Sequence, residues 1–127
     1  MDIYGEIILD HFKHPRQAGL ISDAEAVADD LNPLCGDKVK ISLKIDNDKI
    51  AGFGFDGDGC AISVASTSIL GEQLVGMSLE EFAKLGNEEV LEKLGVPISP
   101  GRIKCALLGY SCVKKAITVY KHGYEQK

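Results

Sequence analysis

From Lys38 to Ile45 two kinds of residue alternate without a break, Lys38, Lys40, Ser42 and Lys44 against Val39, Ile41, Leu43 and Ile45. Successive side chains of a strand point to opposite faces, so this period of two predicts a strand with one wet and one buried face. Asp46-Asn47-Asp48 supplies a turn. Residues 49–56 return with Ala51, Phe53 and Phe55 on one side, which predicts an antiparallel hairpin. Asp56-Gly57-Asp58-Gly59 is expected to break the second strand.

Helical spacing surrounds the hairpin. Residues 2–13 place Ile3, Tyr4, Ile7, Ile8 and Phe12 on a helical stripe behind a capping Asp2. His14-Pro15-Arg16 ends that helix, because the residue before a proline is pushed out of the helical region. Residues 25–30 form a weaker strand, and Asn32-Pro33 opens a loop. Residues 61–75 read as a helix with Ile62, Ala65, Ile69, Leu70 and Leu74 on a broad face. Its remaining positions include the small residues Ala61, Ser63, Ser66 and Ser68, which permit close approach by a neighbour. Ser78 caps a short helix over 79–85, with Glu81 at the capping-box position. A further short helix spans 87–94, closed by Gly95, and 96–101 is a loop. The last helix runs from 102 to 121 with the stripe Ile103, Leu107, Tyr110, Val113, Ile117 and Tyr120. This order predicts an α+β fold with helices covering one sheet face, and 127 residues make one compact domain.

The formal charge of -5 argues against nucleic-acid binding, which calls for a concentrated basic face. Glu80, Glu81, Glu88, Glu89 and Glu92 crowd one stretch, and Arg102, Lys104, Lys114, Lys115 and Lys121 the next. Each reads as a solvated helix face or as a docking surface for a charged partner. No apolar run approaches the ~20 residues of a membrane span, and no signal peptide is visible, so a cytoplasmic protein is expected. Thiols stay reduced there, and cysteines more often serve metals or chemistry than disulfides.

Cys35, Cys60 and Cys105 each fall where the chain changes structure. The first lies in a loop, the second between a strand and a helix, the third in the first turn of the last helix. Helix N-termini favour a thiolate. Glycines flank the first two: Gly36 follows Cys35, while Gly57 and Gly59 precede Cys60. Asp37 stands two residues after Cys35. Three soft thiolates and one oxygen ligand suit a zinc or iron–sulfur centre that accepts and releases its load. The spacing is not that of a zinc finger. The bland alternative is three unrelated buried cysteines. Cys112 lies two helical turns past Cys105, ~10.5 Å along the axis, and reads as core. His11 and His14 read as capping or surface residues rather than ligands, and His122 sits near the tail.

Taken together these motifs resemble the IscU/SufU/NifU N-terminal-domain family of iron–sulfur cluster assembly scaffolds. The resemblance runs through Leu9-Asp10-His11, His14-Pro15, Asn32-Pro33-Leu34-Cys35-Gly36-Asp37, Phe55-Asp56-Gly57-Asp58-Gly59-Cys60-Ala61-Ile62-Ser63, Ala65-Ser66-Thr67-Ser68 and Arg102-Ile103-Lys104-Cys105-Ala106. It covers essentially the whole chain, so residues 1–127 would form one scaffold domain. It implies a three-stranded antiparallel sheet with helices packed on it, and a site made by Cys35, Asp37, Cys60 and Cys105. It further implies a carrier that receives iron, takes persulfide sulfur from a cysteine desulfurase, builds a [2Fe-2S] cluster and passes it to apo iron–sulfur acceptor proteins. Zinc is the alternative occupant.

Three departures stand out. Lys104 takes the place of the histidine that precedes the third cysteine in the IscU branch, as in SufU-like proteins. The insertion that SufU-like proteins carry between the second and third cysteines is absent. The Leu-Pro-Pro-Val-Lys segment that a dedicated chaperone reads in the IscU branch is here Val96-Pro97-Ile98-Ser99-Pro100-Gly101-Arg102. A zinc-dependent sulfurtransferase that accepts persulfide is therefore the alternative function. Cys35 and Cys105 are the candidate persulfide acceptors, with Lys104 and Arg102 lowering the local negative potential. A zinc-stabilised interaction domain with inert cysteines is the third reading.

Overall fold

The computed structural model describes residues 3–16, 19–32, 36–93, 98 and 100–125. The elements run α1 (Ile3–Lys13), β1 (Ala26–Asn32), β2 (Asp37–Asp46), β3 (Lys49–Asp58), α2 (Ala61–Leu74), α3 (Leu79–Ala83), α4 (Asn87–Lys93), a single 3-10 turn (Pro100–Arg102) and α5 (Ile103–Glu125). The strands form one antiparallel sheet in the order β1-β2-β3. The fold is thus α+β, with α2 and α5 laid against one face of the sheet.

The alternation in β2 sets the two faces. Val39, Ile41, Leu43 and Ile45 are buried beneath the helices, while Lys38 and Lys40 are exposed. Ser42 departs from the expected wet face and is buried. The chain after α1 crosses the sheet there: the Ile21 N–H donates to Ser42 Oγ at 2.9 Å, and the Gly19 N–H to the Phe55 carbonyl at 2.8 Å. The hairpin turns on Asn47 and Asp48, with φ of 52° and 59°. Both sit in the left-handed region, the pattern whose twist suits two-residue hairpin loops. β3 outruns its expected end at 56 and carries Gly57 and Asp58 into the ladder opposite Val39 and Lys38. An available partner backbone outweighs the weak strand preference of glycine and aspartate. β1 likewise extends to Asn32, opposite Asp37.

α2 is buried nearly all round, which a helix with a single apolar face would not be. Its small residues make this possible. A side chain on Gly71 would strike the Phe53 ring, with the nearest carbon 2.6 Å from an added Cβ. On α5, a Cβ at Gly109 would lie 2.5 Å from Thr67 Oγ1. Gly109 is one turn past Cys105, and Thr67 is one turn past Ser63, so this close crossing fixes how near the starts of the two helices come. On α5, Tyr110, Val113 and Ile117 of the expected stripe are buried, while Leu107 and Tyr120 are half-buried. Cys112 packs in the core, its Sγ 3.3 Å from the Ala28 carbonyl. Burial pushes its thiol up to about 12. The capping box over α3 is present, with Ser78 and Glu81 each bonding the other's backbone. α5 continues to Glu125, beyond the expected end at 121. The expected cap at Asp2, the Gly95 stop and half of the 96–101 loop lie outside the described residues.

α1 packs on α2 rather than on the sheet, and its orientation differs from the expected stripe. Ile7, Leu9 and Phe12 are exposed, whereas Ile8 joins Ile62, Ile69 and Ala106 in a small apolar cluster. The reason is polar. His11, whose side chain is only 13% exposed, places Nδ1 2.8 Å from Ser68 Oγ, and that oxygen also accepts the Arg16 N–H at 2.8 Å. Ser68 Oγ and Nδ1 thus share a hydrogen bond, and Nε2 faces Glu72 at 3.7 Å. His11 is therefore neither a cap nor a surface residue. Burial, with Arg16 nearby, lowers its pKa below the ordinary histidine value, against the opposing pull of Glu72 and Asp10.

A histidine held neutral in the fold contributes stability that is fully present above its unfolded pKa and lost as the pH falls through that value, ~6.5, towards the lower folded one. We predict that hydrogen-exchange protection of α1 amides, corrected for intrinsic rates, weakens as the pH drops below ~6.5. In His11→Gln the protection should be lower at neutral pH and lack that pH step. An unchanged step in the variant would show that another group carries it.

Candidate metal centre

Asp37, Cys60 and Cys105 converge at one end of the sheet, each offering one ligand atom, and these atoms all lie within 4.8 Å of one another. Three elements bring them there. Asp37 opens β2, Cys60 is the N-cap of α2, and Cys105 is the third residue of α5. Asp37 and Cys105 are buried, Cys60 is half-buried. The third predicted cysteine, Cys35, lies outside the described residues, between β1 and β2. The residues either side of that gap are close, with the Gly36 N–H donating to the Asn32 carbonyl at 2.8 Å. Gly36 holds a φ of 76°, a conformation that glycine adopts at little cost.

Asp37 acts first as a cap supplied from outside the helix. Cys60 makes no side-chain cap bond of its own. Instead Asp37 Oδ1 accepts the Cys60 N–H at 3.1 Å, and Oδ2 accepts the Ser63 hydroxyl at 2.6 Å. One orphan donor of the α2 N-terminus is thus satisfied by a carboxylate, the charge that a helix start favours. Gly59 makes room for it: a Cβ there would lie 2.7 Å from Asp37 Cγ, inside contact distance. The glycine before Cys60 is therefore needed to admit the carboxylate.

The donor set fits a thiophilic metal. In tetrahedral zinc sites with Zn–S of ~2.3 Å, ligand atoms stand roughly 3.3–3.8 Å apart, so small rotations of the two cysteine side chains close the present spacing. Two helix N-termini, of α2 and α5, point positive potential at the thiols. Ligating carboxylates in such sites are themselves hydrogen-bonded, as Asp37 is here. Lys104 in the first turn of α5 and Arg102 in the 3-10 turn before it are both exposed. His14 is exposed, and His11 is committed to Ser68.

Two residues at the site escaped the sequence reading. Asn32 places Nδ2 4.0 Å from Cys105 Sγ, and Ser63 Oγ lies 3.6 Å from Cys60 Sγ. Ser63 has a faint signal, a hydroxyl three residues past a helix-capping cysteine. Asn32 has none, since it meets Cys105 across 73 residues of sequence.

Comparison with known proteins places the chain in a family. The model of the NifU-like N-terminal domain matches residues 3–127. This chain belongs to that family. It is 32% identical over 140 residues to the zinc-dependent sulfurtransferase SufU of Bacillus subtilis strain 168, covering 95% of this chain and 93% of that one. It is 36% identical over 132 residues to the iron–sulfur cluster assembly scaffold protein IscU of Streptococcus pyogenes serotype M1, covering 91% and 82%. Among solved structures it superposes with a TM-score of 0.74 and 32% identity on a protein of Fervidobacterium islandicum AW-1 described as an iron–sulfur cluster assembly scaffold for the SUF system, covering 90% and 96%. No described helix is long and apolar enough to cross a membrane.

Proposed function

We propose that this member of the NifU-like family is a scaffold on which a [2Fe-2S] cluster is assembled and from which it is passed to apo acceptor proteins. The observation that carries the reading is the convergence of Asp37, Cys60 and Cys105 within 4.8 Å at one end of the sheet. Cys35 completes the set in this proposal. Three thiolates and one carboxylate are one sulfur short of the all-thiolate cage that holds clusters firmly. The harder oxygen ligand leaves one iron the more exchangeable, which suits a cargo that must leave.

Sulfur would arrive as the outer sulfur of a persulfide on a cysteine desulfurase. A thiolate of this chain attacks that sulfur, a new S–S bond forms here, and the desulfurase cysteine departs as a thiolate. Access matters for such an attack. Cys60, being half-buried, is the more open of the two described site thiols. Cys105 is 4% exposed, so it receives sulfur only after the site opens.

The zinc-dependent sulfurtransferase is kept as a second reading because of Lys104 and the similarity to SufU along nearly the full length of both chains. Anaerobic reconstitution with iron, L-cysteine and a cysteine desulfurase separates the two. Scaffolding predicts a visible [2Fe-2S] spectrum that moves to an apo-ferredoxin. Tight zinc, stimulated desulfurase turnover and no transferable cluster would establish the sulfurtransferase instead.

A further inference from the structure

We propose that Ser63 is a positioning residue for this centre, setting the direction in which Asp37 presents its carboxylate to a bound metal. The role rests on the reading of Asp37, Cys60 and Cys105 as ligands. Its basis is a fork of two donors from one helical turn. The Cys60 N–H holds Oδ1 at 3.1 Å and the Ser63 hydroxyl holds Oδ2 at 2.6 Å. The second of these is in the short range of a charge-assisted hydrogen bond. With both oxygens gripped, rotation of the carboxylate is blocked, and only its remaining lone pairs are available to a metal. The space that Gly59 leaves by lacking a Cβ is the space that the carboxylate fills in this orientation.

Ser63 is itself held. It is 5% exposed, and its carbonyl accepts the Thr67 hydroxyl at 2.8 Å. Thr67 in turn is pressed against Gly109 of α5, one turn beyond Cys105. The hydroxyl thus sits on a rigid path between the helix that carries Cys60 and the helix that carries Cys105. Ser63 Oγ is also 3.6 Å from Cys60 Sγ, so it touches two members of the ligand group at once. Hydroxyls placed in this way orient ligands, and removing such partners typically costs about 10–100-fold in metal affinity.

The test is a double-mutant cycle read by Zn²⁺ affinity, measured in competition with a chromophoric chelator under reducing conditions. Ser63→Ala should weaken Zn²⁺ by about 10–100-fold when Asp37 is present. In an Asp37→Ala background the same change should cost roughly twofold or less, because the group through which Ser63 acts is gone. With Co²⁺ as the probe, Ser63→Ala should keep the thiolate charge-transfer bands and shift the ligand-field bands in the direction seen for Asp37→Ala. Alanine is a strong helix former, and a wild-type far-UV circular dichroism spectrum checks that α2 persists. Affinity equal to wild type in Ser63→Ala, or an equal loss with and without Asp37, would overturn the role. Wild-type protein that takes up no Zn²⁺ or Co²⁺ would overturn the ligand reading and this role with it, a different outcome from a wild type that binds and a variant that binds as well.

Discussion

Replacing Cys105 by serine is expected to lower Zn²⁺ affinity on the order of 100-fold or more, beyond the range that loss of an orienting partner reaches. The cysteine supplies a soft sulfur donor from the third residue of α5, where the helix dipole favours its thiolate. A serine hydroxyl keeps the shape and loses the ligand, because it does not ionise near neutral pH. The change should also appear in stability. A ligand at one hundred times its Kd stabilises the native state by about 2.7 kcal/mol. Wild-type protein should therefore melt at a higher temperature with Zn²⁺ than with chelator, and Cys105→Ser should show little difference between the two. The paired measurement is a calorimetric titration with Zn²⁺ and a thermal melt with and without chelator. Retention of wild-type affinity by Cys105→Ser would place the metal elsewhere.

Ile41→Ala should destabilise the fold by about 2–5 kcal/mol, the range for large-to-small changes in a closed core. Ile41 is 0% exposed, at the centre of β2 beneath the helices. Truncation leaves a cavity that rigid neighbours on three strands and two helices fill only in part. The adjacent residue provides the control. Lys40 points to the opposite face, between Asp29 of β1 and Asp56 of β3 in the ladder. Cross-strand charge pairs of this kind contribute roughly 0.2–1 kcal/mol, so Lys40→Ala should cost about that. Urea denaturation of both variants gives the contrast. Similar losses for the two would contradict the faces assigned to β2.

Adjacent residues with opposite fates show why the hairpin was legible. Side-chain direction in a strand is set by local backbone geometry, so alternation is written into consecutive residues. Ser42 shows where this stops. It obeys the alternation, yet the strap after α1 covers it, and no local pattern announces a covering segment. α1 makes the point more strongly. Its spacing gave a helix, but the face turned inward was decided by Ser68, a residue 57 positions away from His11. The extension of β3 through Gly57 has the same origin, since strand length depends on the partner that β2 offers.

The candidate site divides in the same way. Cysteines at a loop, a helix cap and a helix start, with Asp37 nearby, were visible as residue types in suggestive places. Ser63 and Asn32 were not, because a serine on a helix and an asparagine at a strand end look alike whether they face a thiol or water.

By itself the sequence determined the elements, the two faces of β2, the capping of α3 and the chemistry on offer, since each of these follows from side chains a few residues apart acting through local geometry. Only the tertiary structure decided that Asp37, Cys60 and Cys105 share one pocket, that Asp37 caps a helix from another element, and that α1 turns His11 inward. Those outcomes depend on how closely separate elements approach, and that distance is set by contacts such as Thr67 against Gly109 and Asp37 against Gly59, between residues that have no local relation to one another.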